Sequence, residues 1–310
     1  MSPTTKRRPV PPPTSAAARS AKTATGSKGP AGSARARLAA QQAEAERRRR
    51  RLTLVIVPLA VVLVAVATLI VVRLTSNGSG DQSVGGADVI GKVTSVPAST
   101  LDQVGAGVVT AAPRSLNAPA LTADGKPKVL YVGAEYCPYC AAERWAMVVA
   151  LSRFGTFSNL GQTRSSSTDI YPSTATLTFH GASYRSDVIS FTGTEIEDGE
   201  GKPLDNLTAE DQKLFDTYDA PPYTSSAGGI PFVDIGGKYA VYSATYDPQI
   251  LQGKTHQQIA DALADPSSPI AKSVDGAANA ITAAICATTG NKPTAVCTSS
   301  GVQAAAKTLQ

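Results

Sequence analysis

Two cysteines separated by two residues, Cys137-Pro138-Tyr139-Cys140, lie between a predicted strand and a predicted helix. Residues 129–133 are apolar and predict a short buried strand, and residues 141–154 have apolar side chains at helical spacing. At the start of a helix, unpaired backbone N–H groups and the helix dipole favour a thiolate. A thiolate is the form that attacks disulfides, so we expect Cys137 to react and Cys140 to resolve the mixed disulfide.

Positive charge is concentrated at the N-terminus. Residues 1–51 contain 13 Lys and Arg against 2 Asp and Glu, whereas residues 52–310 contain 16 against 22. The first segment has few large apolar side chains, so we predict a disordered basic tail over residues 1–51. The high isoelectric point belongs to this tail, and we expect no nucleic acid among the partners.

An uncharged apolar segment follows the tail. Residues 52–72 are 21 residues without a charge, enough for a helix to cross a bilayer core of about 30 Å. Five arginines, 47–51, precede it and one, Arg73, follows it. The positive-inside rule then predicts a single-pass membrane protein with a cytoplasmic N-terminus and an extracytoplasmic C-terminal part. A cleaved signal peptide with a long basic start is the alternative.

The rest of the chain predicts a flexible linker over residues 73–87 and one folded domain over residues 88–310. Its pattern of strands and helices indicates an α/β domain with a mixed sheet. Helices are predicted at 97–109, 208–218, 255–263 and 270–286, and strands at 161–166, 174–179, 188–194, 232–235 and 239–243.

Three local features carry further expectations. His180-Gly181 predicts a turn that joins strands 174–179 and 188–194 into a hairpin. Gly236-Gly237 predicts a two-residue turn in a second hairpin. The acidic run that begins at Glu195 is interpreted as a solvated loop.

All four cysteines follow the apolar segment, which agrees with an oxidising compartment. Pairing Cys137 with Cys140 and Cys286 with Cys297 is the most local of three possible connectivities. We interpret Cys286 and Cys297 as a structural disulfide, with a relay pair as the alternative. For Cys137 and Cys140 the alternatives are an inert disulfide or a metal pair. No motif spacing supplies four ligands, so we expect neither a metal nor a cofactor.

At residues 134–140, Ala-Glu-Tyr-Cys-Pro-Tyr-Cys resembles the active-site run of the thioredoxin superfamily. Residues 228–237, Gly-Gly-Ile-Pro-Phe-Val-Asp-Ile-Gly-Gly, resemble the loop of that superfamily that carries a cis-proline, together with the hairpin after it. The resemblance implies a thioredoxin-like mixed sheet with helices on both faces and an insertion of about 50 residues before Pro231. It also implies that Pro231 is cis and faces the thiols, and that the backbone of Ile230 pairs with substrate.

The sequence also resembles a family of membrane-anchored thioredoxin-like proteins of unknown role in actinobacteria and archaea. The segments that carry this second resemblance are Arg153-Phe154-Gly155, Tyr171-Pro172-Ser173-Thr174 and Thr178-Phe179-His180. One position departs from the thioredoxin pattern, because Tyr131 stands where those proteins have a buried acid that transfers protons. Proton transfer from Cys140 would then need water or Glu135.

The resemblance implies a membrane-anchored, extracytoplasmic thiol–disulfide oxidoreductase that acts on cysteine-containing exported proteins. Cys137 and Cys140 would be catalytic, and Pro231, Ile230, Tyr136 and Tyr139 would contact substrate. We expect oxidation to be favoured over reduction and a membrane redox partner to regenerate the pair. The alternative is a non-enzymatic surface module, a scaffold held by two disulfides.

Overall fold

The computed structural model describes residues 85–310, all within one compact unit, Ser79–Gln310. The predicted tail, transmembrane helix and most of the linker lie outside the described residues. Helix α1, Gly85–Thr94, includes the last three residues of the predicted linker. Within residues 85–310, no helix is both long and apolar enough to cross a membrane.

The central sheet is built around strand β3, Lys126–Gly133. Strand β8, Ser190–Glu195, is parallel to β3 on one side, and β9, Phe232–Ile235, is antiparallel to it on the other. The sheet continues through β10, Tyr239–Val241, to β1, Arg114–Ser115, while β2, Thr122–Ala123, pairs with the start of β3. The expected α/β domain with a mixed sheet is therefore confirmed.

The described part of the chain contains eight α-helices and a short 3-10 helix, Pro248–Leu251. Besides α1 these are α2, Ala98–Val104; α3, Pro138–Ser152; α4, Ala209–Tyr218; α5, His256–Ala262; α6, Pro269–Thr288; α7, Thr294–Cys297; and α8, Ser300–Ala306.

Local signals explain several helix ends. Thr208 accepts the N–H of Asp211 at the start of α4, and Thr255 forms a capping box with Gln258 at α5. Helix α2 is shorter than predicted, because Gly105 adopts φ 63° and turns the chain away.

The core lies on both faces of the sheet, because successive side chains of β3 point in opposite directions. Val129 and Tyr131 pack with side chains of α3 and α6 on one face. Leu130 and Val132 pack on the other face with Phe215 of α4. This alternation places the start of α3 beside the end of β3, where the cysteine pair lies.

Two small sheets lie outside the central one. Strand β4, Thr156–Ser158, pairs with β7, Ser183–Arg185, and β5, Gly161–Arg164, pairs with β6, Ala175–Thr178. The predicted hairpin across His180-Gly181 is therefore wrong, since β6 pairs with β5 while β8 pairs with β3. Alternation marks a strand but does not choose its partner.

The same finding corrects the position of the predicted insertion, which was expected to contain strand 188–194. That strand is β8 and belongs to the central sheet, so the residues before Pro231 are not one continuous insertion: residues 153–189 precede β8, and residues 196–231, with α4, follow it.

The hairpin of β9 and β10 forms as predicted, but its turn has three residues. Ile235 pairs with Tyr239, so the loop is Gly236-Gly237-Lys238. Both glycines have positive φ, 65° and 71°, which a side chain would resist. Farther along the chain, Cys286 and Cys297 form a disulfide with a Cα–Cα distance of 5.6 Å that joins α6 to α7.

Candidate functional site

Cys137 is the N-cap residue of α3, four residues after the last residue of β3. Its sulfur accepts a hydrogen bond from the backbone N–H of Cys140 at 3.3 Å, and Pro138 fills the first helical position, where no N–H is needed. Cys137 and Cys140 are free thiols, with 5% and 0% of their surface exposed. The helix start therefore brings the two sulfurs together while only Cys137 reaches the surface.

The two thiols differ in acidity. The pKa of Cys137 is below its ordinary value, first because the Cys140 thiol donates a hydrogen bond to its sulfur. The backbone N–H of Cys140 and the charge of Arg144 act in the same direction, and burial opposes them. Burial raises the pKa of Cys140 well above its ordinary value, and the bond to Cys137 adds to this. Cys137 is thus the thiol that ionises first.

Ile230 and Pro231 lie beside Cys137 although 93 residues separate Cys137 from Ile230 in sequence. The Ile230–Pro231 peptide bond is cis, the isomer that the resemblance implied. The carbonyl oxygen of Ile230 accepts a hydrogen bond from the Cys137 thiol at 3.8 Å. Ile230 is half-buried, and the two residues before it, Gly228 and Gly229, are exposed. An extended peptide could therefore reach this backbone from solvent.

Tyr136 and Tyr139 flank the thiols in sequence and are both half-buried. The Tyr136 carbonyl accepts the N–H of Ser166 at 2.8 Å, and the Tyr139 ring meets Tyr171 edge-on at 6.0 Å. A groove of about 1950 Å³ is lined by Tyr136 and by residues 197–201 but not by the thiols or Pro231. The groove therefore adjoins the site without containing it.

A fully buried ion pair lies behind the cysteines, which the sequence reasoning missed. Arg144 and Glu195 are both 0% exposed; Nε and Nη2 of Arg144 each donate to a Glu195 carboxylate oxygen at 2.8 Å. Arg144 Nη2 also donates to the carbonyl of Ala134 at 2.6 Å. The prediction that Glu195 belongs to a solvated loop is wrong, because Glu195 ends β8 opposite Gly133.

The guanidinium of Arg144 stays charged. Burial is the largest single effect and acts to lower its pKa. The charge of Glu195, its hydrogen bonds and the neighbouring Tyr131 and Cys140 together outweigh burial and raise the pKa well above the ordinary value. The sequence signal that could have placed Arg144 near the thiols is its spacing. Arg144 follows Cys140 by four residues and Cys137 by seven, which puts the three residues on one face of α3.

Tyr131, which the resemblance places where thioredoxins have a buried acid, is completely buried. Burial raises the pKa of its hydroxyl well above the ordinary value, and that hydroxyl has no hydrogen-bond partner within residues 85–310. Glu135, the side chain predicted to take part in proton transfer if water does not, accepts a hydrogen bond from the Thr163 hydroxyl at 3.3 Å.

His180, His256 and Trp145 form hydrogen bonds with residues other than the two cysteines. His180 Nδ1 lies 2.7 Å from Asp205, and His256 Nε2 lies 2.8 and 2.9 Å from the carbonyl oxygens of Thr163 and Thr176. Trp145 is buried and donates to the carbonyl of Ala175 at 3.0 Å. In the described part of the chain, no three His, Cys, Asp or Glu side chains are grouped to hold a metal ion.

Fold and site together define a mixed α/β protein with two unequal thiols at a helix N-terminus. Residues 114–287 match a domain of unknown function, DUF929. Since this is more than half of the chain, the protein belongs to that family. The matched range runs from β1 into α6 and includes both thiols, Arg144, Glu195 and Pro231. No curated protein and no solved structure matches the sequence.

Proposed function

We propose that the protein is a thiol–disulfide oxidoreductase that passes a disulfide between Cys137 and Cys140 to cysteine-containing exported proteins. One observation carries the proposal: the sulfur of Cys137 accepts the N–H of Cys140 at the start of α3 and lies 3.8 Å from the carbonyl of Ile230, the residue before Pro231. The first contact favours the thiolate, and the second places that sulfur against a backbone available to a peptide.

The chemistry requires two exchanges. A substrate thiolate attacks Cys137, the bond between Cys137 and Cys140 breaks, and its electron pair goes to Cys140. A second substrate thiolate then attacks the sulfur of the mixed disulfide that belongs to the substrate, and Cys137 leaves as a thiolate. Two electrons pass from substrate to the pair, and the protons lost by the substrate thiols equal those that reprotonate the pair. In the second exchange Cys137 is the departing thiol, and its low pKa speeds that exchange.

Topology supports the thioredoxin-like part of the proposal. The strand order β8-β3-β9-β10, with β8 parallel and β9 antiparallel to the central β3, is similar to that of the thioredoxin superfamily. Helix α3 follows β3 directly, and the cis-proline comes directly before β9. Helices contribute to the core on both faces of the sheet.

Acidity of Cys137 favours the disulfide donor over the reductase. Contacts that stabilise a thiolate stabilise the reduced pair, so the oxidised pair becomes a stronger oxidant. The hydrogen bonds from Cys140 and the charge of Arg144 act in this direction. A membrane redox partner would return the pair to the disulfide. The cell membrane is the proposed location, from the apolar segment 52–72 and the arginines before it.

Trapping tests the proposal. We expect Cys140→Ser in the full-length protein to accumulate mixed disulfides with exported proteins, because the Cys137 thiolate can still attack a substrate disulfide while no neighbouring thiol remains to release the substrate. The matched control, Cys137→Ser, retains Cys140 and should trap none, since Cys140 is fully buried. The complexes would be counted on non-reducing gels and should disappear on reduction.

A second measurement gives the direction. Wild-type protein equilibrated with glutathione buffers should show a reduction potential near or above about −180 mV for a disulfide donor, and below about −250 mV for a reductase. A pair that stays oxidised throughout, with no trapping by Cys140→Ser, would contradict the proposal and support the non-enzymatic scaffold.

A further inference from the structure

The interior behind Cys140 holds two polar groups with unused hydrogen-bond donors. Arg144 uses Nε and Nη2, while its Nη1 has no partner among the described residues. The hydroxyl of Tyr131 likewise lacks a partner there. Both residues are 0% exposed. An unsatisfied buried donor is costly, so two of them next to a reactive pair call for an explanation.

Both groups act electrostatically on the same thiol. The positive charge of Arg144 favours a thiolate at Cys140 and also at Cys137. Tyr131 interacts electrostatically with both sulfurs, and more strongly with Cys140. Helix α3 carries Cys140 and Arg144 four residues apart on one face, and β3 carries Tyr131 on the face that packs against α3. The side chains therefore converge from two elements.

The proposed reaction creates an anion at this place. When a thiolate attacks Cys137, the electron pair of the broken disulfide goes to Cys140, whose sulfur is fully buried. A buried charge without a counter-charge or donors is strongly disfavoured. Tyr131 adds no negative charge here, because burial raises the pKa of its hydroxyl well above the ordinary value.

We propose that Arg144 and Tyr131 form an anion site that stabilises the Cys140 thiolate as the disulfide opens, and that Glu195 positions Arg144 for this. The inference rests on the proposed function and deepens it. Donors fixed in advance where charge develops lower a barrier without reorganisation. Glu195 fixes the guanidinium through both of its oxygens, and Ala134 fixes it through a third bond. Cys140 then takes up a proton that originates from solvent.

Tyr131→Phe is the decisive variant because only the anion site predicts a slower opening of the disulfide. A purely structural role of Tyr131 predicts an unchanged rate. Removing a hydroxyl that has no partner should leave the fold as stable or more stable. Under the anion site it should slow opening of the oxidised pair by dithiothreitol by about tenfold. Tyr184→Phe is the matched control, since its hydroxyl binds the carbonyl of Leu151 far along α3, and opening should keep its rate.

A second comparison tests the charge. Removing Arg144 alone would leave Glu195 buried and unpaired, so the variant is Arg144→Met with Glu195→Gln, which removes both charges at similar volume. We expect slower opening and about a tenfold shift of the glutathione equilibrium toward the disulfide, equal to about 30 mV. Arg144→Lys keeps the charge and should shift less. Arg153→Met, at the far end of α3, should have no effect.

Failure of the anion site can be distinguished from failure of the proposed oxidoreductase function. Opening by dithiothreitol needs no physiological substrate, so it tests the anion site even if Cys140→Ser traps nothing. Wild-type opening rates in both Tyr131→Phe and the Arg144/Glu195 double variant, with each protein folded by circular dichroism, would overturn the inference. Slower opening in both would support it whatever the substrate is.

Discussion

The phenol of Tyr131 fills the space in which a side chain at Gly133 would lie. The two residues are on the same face of β3, and a Cβ atom at Gly133 would meet the tyrosine hydroxyl and ring. Tyr131 is completely buried and cannot swing into solvent. Glycine at position 133 is therefore what allows a tyrosine to stand behind the cysteine pair.

Gly133→Ala should destabilise the protein by about 1–3 kcal/mol, because the added methyl group forces Tyr131 or the strand to move. Displacing Tyr131 should also slow opening of the oxidised pair. Urea unfolding and the dithiothreitol rate check both effects. Gly91→Ala in α1, where a Cβ would meet nothing within 4 Å, is the control and should be neutral or stabilising. Equal stability of the two variants would contradict the packing argument.

A buried carboxyl on α6 makes stability depend on pH. Asp275 is 0% exposed, neither of its oxygens has a hydrogen-bond partner within residues 85–310, and burial raises its pKa to about 8. The unfolded chain releases this proton near the ordinary value of 3.8, whereas the folded chain keeps it up to about 8. Between these values the folded state binds more protons, so the free energy of unfolding falls as pH rises.

Asp275→Asn should reduce the loss of unfolding free energy between pH 5 and pH 8 by at least about 1 kcal/mol, because Asn does not ionise. Part of the loss should remain, since burial also raises the pKa of Glu143 to about 7. The measurement is urea unfolding at both pH values. Asp216→Asn, at an exposed position of α4, should leave the pH dependence unchanged. An unaltered slope in Asp275→Asn would count against the prediction.

The disulfide between Cys286 and Cys297 should stabilise the fold without taking part in exchange. It closes a loop with a sequence separation of 11, and both residues are buried. Replacing both by Ala should lower the free energy of unfolding by about 2–3 kcal/mol in the chain-entropy model. Trapping by Cys140→Ser should continue in this background. Full stability together with lost recycling of Cys137 would indicate a relay pair instead.

Pro231→Thr should lengthen the life of mixed disulfides, because it changes the backbone against which the Cys137 sulfur lies. More trapped protein is expected from Pro231→Thr with Cys140 intact than from wild type. The two would be compared on non-reducing gels at equal expression. Pro222→Thr is the control, because Pro222 lies on an exposed segment. Identical trapping in all three proteins would argue against a substrate contact at Pro231.

Features that depend on neighbours in sequence could be predicted. Strand β3, the helix after Cys137 and the caps at Thr208 and Thr255 follow from residues within one or two turns of each other. The prediction of which strands pair with each other was wrong. Strand β6 and strand β8 have similar alternation, yet one pairs with β5 and the other with β3, because sheet pairing depends on distant residues.

The sequence by itself determined that two thiols stand at a strand–helix junction, because a helix start is encoded by adjacent residues. Only the tertiary structure decided what surrounds them. Ile230 approaches Cys137 across 93 residues, and Glu195 reaches Arg144 across 51. Nothing near Glu195 in sequence distinguishes it from its acidic neighbours, of which Glu197 and Asp198 are half-buried and Glu200 is exposed. Its burial follows from the parallel pairing of β8 with β3, which places it opposite Gly133 and behind the cysteines.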